Sequence, residues 1–465
     1  MSEVEIITLT GAPIVLQAAT MHRLQTRVQG ELLRPGDEGY EEVRRVWNGM
    51  IDKRPALIVR CMGLADIIAA VTFAREHNVL VSVRGGGHNI AGKAVCSGGL
   101  MIDLSRMRSV QVDPFKRTAR VEGGATLGDL DRQTQAFGLA TTAGVVTHTG
   151  VVGLTLGGGV GRLARKYGLA CDNLLAVELV TAEGQVLRAS ATEHADLFWG
   201  VRGGGGNFGI VAACEFRLHP IGPVVLGGTV IYSLAQARAA LKFYDEFARP
   251  APDELSADAF LLTAPDGERV FAISVCYIGS LAQGERVLYP LRQFGPPVAD
   301  RIGPLPYTEL QAAGDVFFPP GLHYYYKSHF MTEISDDAID VLLTHFATVP
   351  SPRSLVAFQH YGGAVSRVGQ AETAFSHREA QYNFIPAAVW TDPRESATHL
   401  SWVREVWDRM QPFSTGGVYV NNLGEEGEDQ IRAAYGASYE RLVALKNRYD
   451  PHNLFRLNAN IKPTV

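Results

Sequence analysis

The amino-acid sequence predicts an α+β fold with two successive regions, one of short alternating strands and helices and one of longer strands and helices. Residues 56–220 alternate short apolar segments with helical patterns, and glycine-rich segments connect them. From about residue 221 the glycine clusters thin out, aromatic residues become more frequent, and longer strands and helices follow, which is typical of a unit on an antiparallel sheet. We divide the chain into residues 1–220, 221–418 and 419–465.

Apolar patterning predicts the elements of the first segment. Residues 54–60 are apolar and β-branched and predict a strand, and residues 64–78 carry apolar side chains at helical spacing. The continuous apolar run at 79–83 predicts a strand buried on both faces. Further strands are predicted at 100–105, 109–113, 117–122 and 212–221, with a hairpin over 173–189 that turns at Glu183 and Gly184.

The later segments have longer elements. Residues 224–234, 269–279 and 354–365 predict strands, and residues 234–248 and 335–349 predict helices, the second with Ser335 as its N-cap. Residues 424–451 predict a helical region that ends at Asp450 and Pro451.

Composition excludes several classes of protein. A hydrophobic share of 46% against 20% charged residues predicts a folded chain with a large core. The net charge of -5 comes without a basic run, which argues against nucleic acid and against an anionic membrane surface as partners. No apolar stretch reaches about 18 residues, so we expect no membrane span. The start of the chain has no secretory signal, and the five cysteines form no CxxC pair, so we expect a reduced cytoplasmic protein without a metal site.

Three glycine-rich loops, at residues 84–89, 156–161 and 202–209, leave three interpretations open. Residues 87–93 fit the GxxxxGK pattern of a nucleotide triphosphatase, but Ala94 replaces the Ser or Thr that holds Mg²⁺, and a strand follows. Gly204, Gly206 and Gly209 fit GxGxxG, yet a strand again follows where a helix is needed. The third interpretation, in which the three loops converge on one dinucleotide through their backbone amides, is favoured over turns that merely need positive φ.

The loops and the C-terminal tail together resemble a known family. RGGGHN (84–89), GLMIDLS (99–105), GLTLGGGVGRLARKYGL (153–169), DLFWGVRGGGGNFGIV (196–211), YVN (419–421) and RYDPHNLFRLNANI (448–461) are similar to the berberine-bridge-enzyme-like flavin oxidases of the vanillyl-alcohol-oxidase superfamily. The resemblance covers residues 54–220 and 415–465, while the middle matches loosely. It implies a two-subdomain PCMH-type FAD-binding domain, an inserted α+β substrate domain on an antiparallel sheet, and a C-terminal segment that returns to the FAD domain.

The same resemblance implies FAD as the cofactor, covalently linked through His88. Some family members have a second link through a cysteine, but Val146 occupies the matching position here, so we expect a single link and a core role for Cys171. By position, further cofactor contacts fall on Arg84, Gly85, Gly86, Gly87, Asn89, Thr147, Thr149, Gly150, Gly153, Gly161, Gly209, Ile210, Val211, Tyr419, Asn421, Asn458 and Asn460.

Tyr419 is the candidate catalytic base, because the family places a tyrosine near the flavin. A phenol that acts as a base near neutral pH needs a neighbour that lowers its pKa, and we expect Lys327, His377 or Arg378 in that role. Tyr326 belongs to an aromatic cluster that could form the wall of a substrate pocket. The wider cluster and two weaker pocket candidates are His323, Tyr324, Tyr325, His329, Gln359 and His360.

The sequence therefore predicts an FAD oxidoreductase that removes a hydride from an alcohol or amine carbon of a small alkaloid-like or polyketide-like substrate. The resemblance implies reoxidation by O₂ to give H₂O₂, in a monomer or homodimer. The alternatives are a carbohydrate oxidase that acts at the anomeric carbon, a dehydrogenase that does not react with O₂, and a flavin-binding carrier without turnover.

Overall fold

Three large sheets form the framework of the chain. A computed structural model describes residues 3–465. Within these residues the large sheets have four, five and nine strands, and two-stranded pairs supplement them. No helix of the described part is long and apolar enough to cross a membrane.

The first sheet has strand order β3-β4-β6-β5, in which β4, β6 and β5 are parallel and β3 is antiparallel. Leu57 and Ile102 face a core that includes helices α1 and α3, while Ile58 and Met101 face a second core with Tyr40, so the central strands are buried on both faces. Its elements and those preceding it are β1 (Val4–Ile7), β2 (Pro13–Leu16), α1 (Ala18–Arg27), β3 (Glu31–Leu33), α2 (Tyr40–Val43), β4 (Leu57–Arg60), α3 (Leu64–Glu76), β5 (Val81–Arg84) and β6 (Leu100–Asp103).

The strand predicted at 79–83 forms, and Val81 and Ser82 are buried on its opposite faces as expected, but its start and its place in the sheet differ from the central strand that such burial suggested. Strand β5 begins at Val81, and it lies at the edge of the sheet, where it pairs with β6. Val83 and Arg84 are half-buried, because this end of the strand opens into the first glycine-rich loop.

The second sheet has order β11-β10-β12-β8-β7 and is antiparallel. The predicted hairpin at 173–189 is confirmed as β10 and β11. The segment 151–169 is more helical than a glycine-rich loop, since it contains two short helices. The elements are β7 (Val110–Asp113), β8 (Thr118–Glu122), α4 (Leu127–Gln135), β9 (Leu139–Ala140), α5 (Val151–Leu156), α6 (Ala164–Tyr167), β10 (Leu174–Val180), β11 (Val186–Ser190), α7 (Ala195–Val201), β12 (Ile210–Arg217) and β13 (His219–Pro220).

The third sheet is antiparallel and follows β17-β14-β16-β15-β21-β22-β19, with β18 paired to β14 and β20 to β22. Helices α8, α9, α11 and α13 cover one face and form the largest core with it. The elements are β14 (Val224–Ser233), α8 (Ala237–Ala248), β15 (Leu255–Thr263), β16 (Arg269–Tyr277), α9 (Leu281–Gln293), β17 (Ala299–Asp300), β18 (Gly303–Pro306), α10 (Tyr307–Ala312), β19 (His323–Tyr326), β20 (His329–Met331), α11 (Asp336–Phe346), β21 (Leu355–His360), α12 (Ala364–Arg367), β22 (Tyr382–Trp390) and α13 (Ser396–Met410).

The C-terminal segment packs against the second sheet. Tyr435 and Leu442 belong to the same core as Trp199 and Phe208. The helical region predicted at 424–451 is divided at Gly436, whose φ of +49° interrupts the helix. The two helices are α14 (Glu428–Tyr435) and α15 (Tyr439–Tyr449).

Candidate active site

The first glycine-rich loop meets the backbone of Gly150, the residue before α5, at the end of strand β5. A Cβ atom on Gly150 would lie 2.6 Å from the amide nitrogen of Gly86, and a Cβ on Gly86 would overlap the Gly150 backbone. Each position therefore needs glycine, because only two backbones without side chains can approach this closely. The contact places the loop that carries His88 against the residues that precede α5.

His88 lies at this junction in a mostly aromatic environment. Its Nε2 is 2.6 Å from Nδ1 of His148, and its ring stacks on Trp47 with the centroids 4.7 Å apart. Burial, and then the nearby His148, lower the pKa of His88 to about 3. At neutral pH the imidazole is therefore uncharged, which is the form in which a ring nitrogen has a lone pair available for bonding.

Sequence reasoning missed His148, the partner of His88. Burial is the main factor that lowers its pKa, and its Nε2 is one of the buried polar atoms without a hydrogen-bond partner among residues 3–465. The sequence carried one signal, a histidine between two threonines directly before the Gly150 turn.

The surroundings of the junction fit a large polar ligand. Gly153 and Gly206 have open space where a Cβ would lie. Buried polar atoms without a partner in the described chain include Arg84 Nε, Asn458 Oδ1 and Asn460 Oδ1. Buried polar groups are normally hydrogen-bonded, so this set is consistent with donors and acceptors that a dinucleotide such as FAD would satisfy.

Three of the residues predicted to contact the cofactor bond through their side chains to other groups of the protein. Arg84 donates to the Val43 carbonyl, and its Nε is 3.8 Å from an Asp103 carboxylate oxygen. Asn89 accepts from the Lys93 amide at 2.9 Å, which fixes a turn in its own loop. Thr147 donates its hydroxyl to Asp315 at 2.5 Å, and its amide donates to the same carboxylate.

The third glycine-rich segment enters the central strand β12. A Cβ on Gly209 would lie 2.8 Å from the Val180 carbonyl oxygen, so this glycine is required by the sheet itself. The side chains of Ile210 and Val211 are buried in two cores, which leaves only their backbones for any ligand contact. The close approach predicted at Gly161 is made to the Ala143 carbonyl of the protein.

Tyr419 is buried, and its hydroxyl oxygen accepts two hydrogen bonds. The donors are the Gly159 amide and the Asn421 side chain, both at 2.8 Å. Burial raises the pKa of Tyr419 above its ordinary value. The expectation that a cationic neighbour lowers this pKa is wrong, since two neutral donors contact the hydroxyl, and the phenol keeps its proton at neutral pH.

The three expected cationic neighbours lie in other contacts. Lys327 pairs with Glu426 at 2.7 Å and lies over the Trp407 ring of α13. His377 donates from Nε2 to backbone carbonyls of α14.

Arg378, the third of these groups, forms a buried bidentate pair with Asp172, at 2.7 and 2.8 Å. Cys171, beside it, is fully buried in a core cluster, which confirms its expected role as a small core residue.

Tyr326 is the aromatic residue of β19 that faces the site. It packs with Phe318 and Ala387, and the nearby Tyr419 contributes to raising its pKa. Tyr324, two residues earlier, stacks on Trp47 at 3.8 Å. The aromatic wall therefore extends from the Tyr326 side of the sheet to the His88 junction.

Comparison with known proteins identifies the family. The family model described as "FAD binding domain" matches residues 55–190, and "Berberine and berberine like" matches residues 418–462. An FAD-linked oxidoreductase of Dictyostelium discoideum is 35% identical over 441 residues, which cover 94% of this chain and 95% of that protein. The chain belongs to the berberine-bridge-enzyme-like family of FAD-linked oxidoreductases.

Solved structures of similar proteins agree with this assignment. The 6-hydroxy-D-nicotine oxidase from Arthrobacter nicotinovorans has a TM-score of 0.87 and 30% identity, covering 94% of this chain and 98% of that one. A chitooligosaccharide oxidase has a TM-score of 0.85 and 26% identity, covering 96% and 100%. This berberine-bridge-like oxidoreductase therefore has the α+β fold with a PCMH-type FAD-binding domain that the sequence predicts.

In this berberine-bridge-like chain a buried lysine fixes the C-terminal tail beside the third glycine-rich loop. Lys446, fully buried, donates to Asp450 at 2.7 Å and to the Asn207 and Phe455 carbonyls. Asn458, farther along the tail, accepts from Lys93 at its carbonyl, which connects the tail to the first loop. Only an i, i+4 spacing, which surface pairs share, pointed to this buried pair in the sequence.

Proposed function

We propose that this FAD-linked oxidoreductase is an oxidase that holds FAD through a single covalent bond to His88 and removes a hydride from an alcohol or amine carbon of a small organic substrate. The observation that carries the proposal is the uncharged His88, placed where the first glycine-rich loop meets the backbone of Gly150. Val146 stands where doubly linked relatives would need a cysteine, so a single bond is expected.

The chain's own groups bind and orient in this proposal. FAD, when bound, supplies the hydride acceptor. Asn458 and Asn460 carry the unpartnered polar atoms that would bind the cofactor. His148 contacts His88 and holds its ring in place, while Trp47 covers one face of it.

Tyr419 serves as a hydrogen-bond donor in the proposed mechanism rather than as a base. Its oxygen accepts from Gly159 and Asn421, so its own proton remains available for a third partner. A substrate amine that arrives uncharged needs no strong base, and this arrangement suits that route.

The substrate we favour is small and alkaloid-like or polyketide-like, with O₂ as the acceptor that yields H₂O₂. The likeness to a 6-hydroxynicotine oxidase supports an amine or a heterocycle. The likeness to a chitooligosaccharide oxidase favours a second candidate, oxidation of a carbohydrate.

We also propose the domain division 1–220, 221–418 and 419–465, with a cytoplasmic location. The nine-stranded sheet uses residues between Val224 and Trp390, and the segment after Tyr419 packs on the second sheet, which supports the division. All five cysteines are unpaired and buried, which supports a reducing compartment.

Acid precipitation of the purified protein tests the covalent bond. Yellow colour should stay with the pellet of the unmodified protein and be released to the supernatant from His88→Ala. The matched control is His22→Ala, because His22 is exposed and far along the chain from the loops. Colour released from the unmodified protein would overturn the bond, and O₂ consumption on substrate addition would separate an oxidase from a dehydrogenase.

A further inference from the structure

The nine-stranded sheet has a second face, opposite its helices, and that face borders the site. In β22 the side chains of Phe384, Ala388 and Trp390 belong to the helix-side core, so Asn383, Ile385 and Ala387 lie on the other face. Tyr326 is paired with Ala387 on the neighbouring strand, which places this face on the same side as the aromatic wall.

Apolar residues form two cross-strand rows on this face. Leu355 is paired with Ala387, and Ala357 lies between Phe260 and Ile385. Phe260 and Ile385 are only half-buried although they lie on an inner sheet face. Large apolar side chains left half-open on such a face are typical of a pocket wall that a ligand completes.

A polar row follows directly after the apolar ones. Asn383 is paired with Gln359 on one side and with Phe330 on the other, and the Phe330 ring lies 6.3 Å from that of Tyr419. The Asn383 amide donates to Gln359 Oε1 at 2.8 Å. This amide pair therefore lies between the apolar rows and the tyrosine that contacts the glycine segment after α5.

Asn383 has an unmet hydrogen bond. The residue is completely buried, and its Oδ1 has no partner among the described residues. A buried carbonyl oxygen normally accepts a hydrogen bond, so Asn383 Oδ1 can accept one from a donor outside the described chain. A substrate hydroxyl or N–H group has the required chemistry.

The charged groups nearest to this face are engaged with the protein. Asp258, which lies in the same cross-strand row, accepts from the His360 amide at 2.8 Å. Lys327 is directed to the helix side of the sheet, where it pairs with Glu426. Arg162, buried and close to Asp258, faces that carboxylate, so its positive charge is offset within the protein and the face suits an uncharged substrate.

We propose that Asn383, oriented by Gln359, is a specificity-determining acceptor for an uncharged, flat, largely apolar substrate that carries one hydroxyl or N–H group near the oxidised carbon. The inference rests on the proposed function and narrows it, because a carbohydrate needs many polar partners whereas this wall presents two apolar rows and one amide pair. A substrate analogue without the donor would leave Oδ1 unpaired and bind more weakly.

Binding of small probes to the flavin-loaded protein tests the proposal. Phenol and toluene have nearly the same shape and differ in one hydroxyl donor, and benzoate adds a negative charge. Affinities are measured by calorimetry and by the change in flavin absorbance. We expect phenol to bind tighter than toluene, and Asn383→Leu to reduce the ratio of the two affinities by about tenfold, the size of one good hydrogen bond. Benzoate should bind more weakly than phenol.

Two further variants keep the test decisive. Gln359→Leu leaves the Asn383 acceptor intact but removes the side chain that orients it. We expect this variant to reduce the ratio of the phenol and toluene affinities by about threefold. It replaces Asn383→Leu in the test if that variant does not fold. Asn447→Leu, a half-buried amide on α15 that bonds to Thr464, is the matched control and should keep the unmodified ratio.

The proposal is overturned if phenol and toluene bind equally to the unmodified protein, if the phenol preference survives in both variants, if benzoate binds as tightly as phenol, or if no probe binds. A colourless protein is a separate failure, that of the proposed function. Calorimetry then still reports whether the preference for phenol depends on Asn383.

Discussion

At the scale of a single residue, burial decides the protonation state of Tyr419. Its oxygen accepts from the Gly159 amide and from Asn421, and burial raises its pKa. We expect Tyr419→Phe to destabilise the fold by about 1–3 kcal/mol, because two buried donors lose their acceptor. Urea denaturation measures the loss, which should be the same at about pH 6 and pH 9, since the phenol ionises in neither range.

Tyr289→Phe serves as the control for this experiment, because that side chain is 60% exposed and its hydroxyl can be replaced by water. An equal effect of both substitutions, or a loss at Tyr419 that disappears towards pH 9, would contradict the role assigned to the phenol.

A second residue, Asp131, makes the stability of the fold depend on pH. It lies on α4, accepts one hydrogen bond from Gln311 of α10 at 3.3 Å, and burial raises its pKa to about 7. Below about pH 3 the carboxyl is protonated in both the folded and the unfolded chain. As the pH rises towards 7 the unfolded chain ionises first, so the folded state loses stability, and the loss is complete above pH 7.

Asp131→Asn should remove this loss. We expect the variant to exceed the unmodified protein in free energy of unfolding by up to about 4 kcal/mol at pH 8 and to show almost no gain near about pH 3. Gln311 Oε1 has no partner in the described chain and can accept from the new amide. The exposed Asp408→Asn is the control, and a gain independent of pH would exclude the carboxyl as its source.

At the scale of an element, the buried pair of Lys446 and Asp450 positions the tail after α15. Asp450 also accepts from the Leu454 and Phe455 amides, so one carboxylate fixes the chain that leads to Asn458. Lys446→Met removes the cation and leaves the carboxylate buried, and we expect a loss of about 3–5 kcal/mol in urea denaturation. Lys462→Met, from an exposed pair with Glu428, should change stability by less than about 1 kcal/mol.

Equal losses in these two lysine variants would show that the buried pair does not determine the position of the tail. The flavin content of Lys446→Met gives a second measurement, since a displaced tail would carry Asn458 and Asn460 away from the first loop.

Elements with regular patterns could be predicted, while those that depend on partners could not. The helix at Leu64–Glu76 and the hairpin of β10 and β11 follow from apolar spacing and a turn, both of which are local. The strand Tyr382–Trp390 was missed, because Pro386 interrupts a pattern that only the pairing with β21 and β19 makes a strand. The break at Gly436 was missed because a glycine is tolerated within many helices.

At the scale of the whole molecule, the sequence located the site but not its internal contacts. His88 and the glycine segments could be found because their spacing is local, and the contact between Gly86 and Gly150 follows from two such segments. The roles expected for Lys327, His377 and Arg378 were wrong, because charged side chains choose partners across the fold. Asp172, the partner of Arg378, lies about two hundred residues away, beyond any pattern read along the chain.

That pair connects the two large halves of the molecule and provides a final prediction. Arg378 lies between α12 and β22, and Asp172 lies in the turn that precedes β10. Both side chains are less than a tenth exposed, so removing one charge leaves the other unpaired in the interior. We expect Arg378→Leu to destabilise the protein by about 3–5 kcal/mol in urea denaturation, and Arg378→Leu with Asp172→Leu to recover most of that loss, because two apolar groups of similar volume need no partner.

The same two variants show whether Arg378 only stabilises the fold or also contacts the substrate or the cofactor. Arg378 in the structure contacts Asp172 and Thr373, so the double variant should recover oxidase activity together with stability. Recovered stability without recovered flavin reduction would instead place Arg378 in direct contact with substrate or cofactor. A double variant as unstable as Arg378→Leu would mean that stability depends on the local hydrogen bond that Asp172 accepts from the Leu169 amide in its own turn, which the leucine cannot replace.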